Sequence, residues 1–300
     1  LKANLKAHLA LAAVNLIYGC NYLVVKEITP EWLPPMALVV MRAVGAFVLF
    51  ASLYFLWVKE PIDRKDWPRL IACAMFGVAI NMSLFIKGLS LTSPINASLI
   101  MITAPILVLI FSAFILKEKL TTLKIGGIIL GALGAFYLIW QTADSVKSAN
   151  WLGDLMIFIN AASYALYLVL VKPLMKKYQP ITVMVVVFGF GMFGISLVGA
   201  IDLGQSNLAA IPLNIWLAIA YVIVMVTFFT YLLNIYALTK LNPSVVGSYI
   251  YTQPIIASSL AVLMGKYPLS PAHLVAAILI FTGVYLVGKT NKKSTIQETR

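Results

Sequence analysis

Long apolar runs separated by short polar punctuation set the plan of this chain. A helix needs about 20 mostly apolar residues to cross a bilayer. Ten stretches qualify: 8–25, 35–58, 69–88, 94–116, 122–141, 151–171, 181–201, 213–238, 244–264 and 270–288. The breaks carry turn chemistry, as in Thr29-Pro30, Pro34-Pro35, Glu60-Pro61, Lys172-Pro173, Gln179-Pro180, Leu203-Gly204 and Asn242-Pro243. None is long enough to hold a soluble domain. The pattern predicts an all-α membrane protein of ten transmembrane helices, ending in a loose polar tail at 289–300.

One stretch occurs twice. Ser93-Pro94 leads through Thr103-Ala104-Pro105 to Lys117-Glu118-Lys119-Leu120, and Asn242-Pro243 leads through Thr252-Gln253-Pro254 to Lys266-Tyr267-Pro268-Leu269, at a constant offset of 149. In each copy a capping residue precedes a proline at the first helical position, a good helix start. The second proline, Pro105 or Pro254, falls near mid-helix and frees the carbonyl four residues earlier, at Met101 or Ile250. In lipid such a carbonyl persists only against protein or a wet cavity. The reading is a hinge or a packing kink. At offset 146, Tyr18 matches Tyr164, Lys26 matches Lys172 and Pro34 matches Pro180. Each half, 1–144 and 145–288, then holds five spans. An odd number per half forces opposite orientations, an inverted repeat with a substrate site expected between the halves at mid-membrane.

Charge fixes the expected orientation. The chain is 62% hydrophobic and 11% charged, with a net charge of +12 and a mean hydropathy of +0.96. With the amino terminus inside, inner segments hold most of the basic residues: Lys2 and Lys6; Lys59, Arg64, Lys65 and Arg69; Lys117, Lys119 and Lys124; Lys172, Lys176 and Lys177; Lys240; and Lys289, Lys292, Lys293 and Arg300. Outer segments hold only Lys26, Lys87, Lys147 and Lys266. Both termini are therefore expected in the cytoplasm. The positive charge reads as membrane topology, so no nucleic-acid partner is expected. Cys20 and Cys73 are single and apolar-flanked, implying neither a disulfide framework nor a metal site.

Motifs in order along the chain carry a resemblance. Tyr18-Gly19-x-Asn21 stands in span 1, Pro35 with Arg42 in span 2, and Leu89-x-x-Thr92-Ser93-Pro94-x-Asn96-Ala97-Ser98 enters span 4. Thr103-Ala104-Pro105, Lys117-Glu118-Lys119-Leu120, Gly153-Asp154 and Thr252-Gln253-Pro254 follow. The set resembles the drug/metabolite transporter superfamily of the EamA type, over nearly the whole chain. The resemblance implies a ten-helix bundle with a central cavity lined mainly by spans 1, 3, 4, 6, 8 and 9. It also implies export of small metabolites, often amino acids, or of drug-like compounds. Two positions depart from the family: Tyr18 stands where Trp is usual, and Lys117-Glu118 where Gly-Glu is usual.

The remaining chemistry is sparse. His8 and His273 lack neighbours at metal-ligand spacing. No phosphate loop, nucleophile elbow or zinc-protease motif occurs. Neither catalysis, nor a cofactor, nor a bound metal is expected. The acids sit at span ends or in loops; Asp154, about one turn into span 6, is nearest the membrane interior and reads as a helix-start acid facing the positive end of the dipole. Arg42 lies deep in span 2, which makes it a functional candidate by default. A tie to backbone carbonyls, Asp202 or Glu31 is the preferred reading, since span 2 is peripheral in the resembled fold. Lys87 reads as a snorkelling cation or a carboxylate anchor.

Polar and aromatic residues recurring at helical spacing mark inward faces, because a polar stripe cannot face lipid cheaply. Asn15, Tyr18, Gly19 and Tyr22 share one face of span 1; Asn160, Tyr164 and Tyr167 share one face of span 6. The expected substrate-binding residues are Tyr18, Tyr22, Asn81, Phe85, Met101, Tyr164, Tyr167, Tyr231, Asn234, Tyr249 and Gln253, with Pro105 and Pro254 as conformational residues. Interhelical hydrogen bonding is the competing role for each Asn. Gly126, Gly127, Gly131 and Gly134 in span 5 fit close packing or dimerisation, leaving the protein a monomer or homodimer in its lipid bilayer. The expected function is export of a small-molecule substrate, an amino acid or related metabolite, across a bacterial-type inner membrane. The alternatives are a multidrug or quaternary-cation exporter of the same fold and a non-transporting receptor or scaffold.

Overall fold

Proline sets many of the helix starts. In the computed structural model, which describes residues 2–92, 94–142, 150–263 and 271–297, helices open on Pro35, Pro94, Pro180, Pro243 and Pro271. A proline there loses no hydrogen bond, because the first helical N–H has no partner in any case. Asn242 stands at the cap position before Pro243, but its side chain makes no capping bond. Its backbone carbonyl instead accepts from Val245 N and Val246 N. Ser93, Lys147 and the second-copy residues Lys266, Tyr267, Pro268 and Leu269 lie outside the described residues.

The helical rods are α1 (Lys2–Ile28), α2 (Pro35–Val58), α3 (Arg64–Leu91), α4 (Pro94–Met101 and Thr103–Ile115), α5 (Thr122–Thr142), α6 (Trp151–Val171), α7 (Pro180–Gly204), α8 (Leu213–Lys240), α9 (Pro243–Ser248, Tyr249–Tyr251 and Thr252–Leu263) and α10 (Pro271–Gln297). No strand occurs among the described residues. Among them, eight helices, α1 to α8, are long and apolar enough to cross a membrane, and His273–Lys289 is a shorter apolar helix. The loose tail expected from Lys289 is helical through Gln297. Large apolar side chains cover the outside; on α7, Phe193, Leu197, Val198 and Ile201 are all exposed, as contact with lipid requires.

Small residues set a backbone-to-backbone helix contact, between α5 and α10. A Cβ at Gly127 would stand 2.7 Å from Gly283 O, and one at Gly283 would stand 2.6 Å from Gly127 O. Gly131 admits the ring of Tyr251, and Gly134 faces Leu279 and Ile280. The small-residue face of α5 is therefore filled from within the chain, while Gly126 meets nothing.

The loops are tied in pairs. Asp66 accepts from Lys177 Nζ and from Tyr178 OH, each at 2.8 Å, and Glu60 accepts from Gln179 N at 2.9 Å. The bond to Asp66 holds the exposed Lys177 ammonium above its ordinary pKa. Glu118 pairs with Lys124 and accepts from Ser244 Oγ at 2.7 Å. Lys26 Nζ donates to Thr92 O at the end of α3. Lys172 Nζ donates to Leu238 O and Leu241 O at the end of α8. Lys26 and Lys172 are the pair matched by the sequence offset, and Thr92 and Leu241 stand 149 apart.

Lys117 ends α4 with φ 55, a left-handed conformation that costs an L-residue roughly 1–2 kcal/mol and glycine almost nothing. This is the position where the resembled family has glycine. Lys117→Gly is expected to stabilise the fold by about 1 kcal/mol, read as a higher melting temperature in detergent; an unchanged or lower value counts against this account.

Candidate functional site

Two unusual backbone features shape the interior. The first is a widened turn in α3 at Met75–Ala79 and another in α8 at Val222–Phe229, both with hydrogen bonds spanning five residues. Such turns leave carbonyls short of their ordinary partners. Ser163 Oγ donates to Phe76 O at 2.6 Å and Tyr231 OH to Gly77 O at 2.7 Å. In α8, Thr227 Oγ1 donates to Val222 O at 2.7 Å. Side chains from α6 and α8 thus complete the backbone of α3, while α8 repairs its own.

The second feature is the pair of proline bends. α4 breaks between Met101 and Thr103, and α9 tightens into a short turn at Tyr249–Tyr251. Both carry the same side-chain bond: Thr103 Oγ1 donates to Ile100 O, and Thr252 Oγ1 to Tyr249 O, each at 2.7 Å. The two threonines are the pair matched at offset 149. Met101 and Ile250, whose carbonyls the prolines displace, both line the central cavity.

That cavity has an empty volume of about 680 Å³, its open mouth included. α1 contributes Val14, Asn15, Tyr18, Asn21 and Tyr22; α3 contributes Asn81, Met82 and Phe85; α4 contributes Met101. Facing them are Asn160 and Tyr164 of α6, Tyr231 and Asn234 of α8, and Val246, Ile250 and Gln253 of α9. Gly19 allows the approach of α1 to α9: a Cβ there would stand 2.7 Å from the Ile256 side chain. A smaller void lies between the bends, lined in part by Met101, Ile102, Ile250, Tyr251 and Pro254. Pro105 is buried in α4.

Polar groups in the cavity wall brace one another. Gln253 Nε2 donates to Asn15 Oδ1 at 2.9 Å, and Asn15 Nδ2 donates to Leu11 O at 2.8 Å. Asn160 Nδ2 donates to Asn81 O at 2.7 Å, and Asn81 Nδ2 returns a long bond to Asn160 O at 3.4 Å. Thr230 spends its single proton on Val226 O, so it accepts from Tyr18 OH at 3.0 Å. Tyr22 meets Phe85 edge to face, with ring centroids 5.7 Å apart.

Two of the expected site residues stand elsewhere. Tyr167 is fully buried, its ring against Gly77 and its hydroxyl toward Met184 Sδ. It shares a face with Tyr164 but sits about 4.5 Å further along the helix, beyond the cavity wall. Tyr249 pairs its hydroxyl with His8 Nδ1 at 2.8 Å. Of the two polar residues expected from α9, Gln253 lines the cavity and Tyr249 does not, while the neighbouring Tyr251 turns into the α5 notch.

Arg42 has a partner other than those expected. Among the described residues the ion pairs are Lys124–Glu118 and Lys177–Asp66; neither Asp202 nor Glu31 pairs with Arg42. Its Nε donates to Thr227 Oγ1 at 3.1 Å, and the residue lines the cavity. The widened turn of α8 places Thr227 there, and that turn has no signature in the sequence. Asn21 is a further lining residue, signalled by its place three residues after Tyr18. Lys87 is exposed and away from the cavity. Asp154 accepts from Thr92 Oγ1 at the end of α3, also outside the cavity wall. Gly88 and Gly153 meet beside it, each Cβ position 3.1 Å from the other's carbonyl oxygen. Among the described residues no cluster of His, Cys, Asp or Glu has the makings of a metal site.

Comparison with known proteins matches the EamA-like transporter family twice, over residues 5–140 and 151–289. The uncharacterized transporter YyaM of Bacillus subtilis is 24% identical over 94% of this chain and 93% of its own length. An uncharacterized transporter of Archaeoglobus fulgidus is 28% identical over 94% of this chain and 99% of its own. A WAT1-related protein of Arabidopsis thaliana is 25% identical over 94% and 85%. A crystal structure at 20% identity superposes with a TM-score of 0.76, covering 96% of this chain and 98% of that one.

Proposed function

This chain belongs to the EamA-like transporter family, and from that premise we propose that it is a secondary carrier exporting small metabolites, amino acids first among them, through one cavity opened alternately to each face of the membrane. In this reading ten helices cross the bilayer as two inverted five-helix halves, 1–144 and 145–288, with both termini cytoplasmic in a bacterial-type inner membrane. Family and relatives make it a membrane transporter rather than an enzyme.

The observation that carries the proposal is the cavity, walled by tyrosines and asparagines from both family-matched halves. A wall of ring faces and amide groups suits a small amphipathic solute. Contacts between helix ends support the division into two sides. Segments read as inner meet one another, Asp66 with Lys177 and Glu118 with Ser244. Segments read as outer do the same, Lys26 and Asp154 both meeting Thr92.

No described acid lines the cavity, so transport is expected to run uncoupled or to be coupled without a buried carboxylate. Counterflow in proteoliposomes, with an amino-acid panel and organic cations, with and without a pH gradient, tests the carrier. Saturable exchange of at least one compound is expected, and no flux for any of them sinks the proposal. Asp154→Asn is expected to leave the response to a pH gradient unchanged. Concentrative uptake driven by that gradient and abolished in a folded Asp154→Asn protein would overturn the coupling reading.

A further inference from the structure

Arg42 is 5% exposed and lines the cavity. Its guanidinium stays protonated in any protein setting and carries five N–H donors. Thr227 takes one of them, Nε–H. No carboxylate among the described residues lies within ion-pair distance. A buried, uncompensated charge is expensive, and its remaining donors call for an anionic partner. Thr227 is itself fixed, because its own proton goes to Val222 O. The guanidinium is therefore held at the cavity wall by a neutral oxygen that does not cancel its charge.

A second group points to a ligand. Asn160 is 2% exposed and lines the same cavity. Its amide orientation is set by the bond from Nδ2 to Asn81 O, which leaves Oδ1 as the acceptor. That Oδ1 is buried without a hydrogen-bond partner, a condition that a buried polar atom rarely keeps. The cavity wall thus holds a cation on α2 and an unpartnered acceptor on α6.

We propose that Arg42 is the anchor for a carboxylate on the transported solute, with Asn160 Oδ1 receiving a donor such as its ammonium or amide N–H. This rests on the carrier reading above and narrows it to zwitterionic or anionic carboxylates. It also disfavours the quaternary-cation exporter, because a fixed positive charge in the wall repels such a solute.

The wild-type protein in proteoliposomes tests this with matched probes: a series of amino acids, and for each the carboxamide, the decarboxylated amine and the deaminated acid. Carboxylate-bearing members are expected to exchange and to compete with one another, while amines and carboxamides compete at least about tenfold more weakly, a charge-assisted bond being worth that much. Arg42→Gln is expected to lose the carboxylates' advantage, and Arg42→Lys to keep part of it. Amines or tetraalkylammonium ions moving as well as carboxylates in the wild type overturn the assignment but leave the carrier standing. A folded Arg42→Gln protein with unchanged KM for carboxylates does the same. No flux for any probe overturns the carrier reading and this one with it. Should Arg42→Gln fail to fold, the charge preference of the wild type still decides.

Discussion

Gly283→Val is expected to abolish the folded protein. A Cβ at position 283 meets Gly127 O at 2.6 Å, Gly131 N at 2.7 Å and Gly131 Cα at 3.0 Å. All three are backbone atoms of α5, so no side-chain rotation relieves the clash and the two helices must separate. Overpacking of a closed contact typically costs about 1–3 kcal/mol, and a backbone clash belongs at or above the top of that range. The separation also opens the notch that Tyr251 fills at Gly131, so the damage passes to α9. Expression of folded protein, followed by size exclusion in detergent, reads the outcome. Gly126→Val on the same helix is the control: nothing stands within 4 Å of its Cβ position, and it is expected to behave as wild type. Equal tolerance of both variants would refute the packing account.

The paired substitution Pro105→Ala with Pro254→Ala is the second large effect, and it falls on transport. Each alanine restores a backbone N–H four residues after a displaced carbonyl, worth about 1 kcal/mol in a helix. The variant is therefore expected to be at least as stable as wild type. Both bends stand at the cavity wall, through Met101 and Ile250. If alternating access works by bending there, exchange is expected to fall by roughly tenfold or more, the factor that corresponds to about 1.4 kcal/mol of barrier. Melting temperature and counterflow rate, measured on one preparation, separate the two effects. Undiminished exchange in a stable double variant would reduce the bends to packing kinks.

Helix identity was legible in the sequence because lipid demands long apolar runs, and their punctuation is unambiguous. The inward stripe Asn15, Tyr18, Tyr22 was legible for the same reason: polar side chains in such runs have few places to point. Asn81, Phe85, Tyr164, Tyr231, Asn234 and Gln253 reach the cavity on that logic. Tyr249 and Tyr167 do not, since spacing gives a face but neither its height along the helix nor its neighbour. The partner of Arg42 was not legible, because Thr227 depends on a widened turn in α8. That turn stores one extra residue without any glycine or proline to announce it, and it rotates everything after it. Lys117 is a different case: the departure from glycine was visible, and its cost became readable once the backbone angle was known.

The threonine bonds beside the two bends carry a consequence for motion. In an ordinary helix the path of the axis is enforced by main-chain bonds, and changing it means breaking them. Beside each bend a carbonyl, of Ile100 or Tyr249, also accepts from the hydroxyl of Thr103 or Thr252. A threonine hydroxyl in a helix has two accessible settings of χ1. A change of that one torsion beside each bend of α4 and α9 withdraws a side-chain bond from a carbonyl while breaking no main-chain bond.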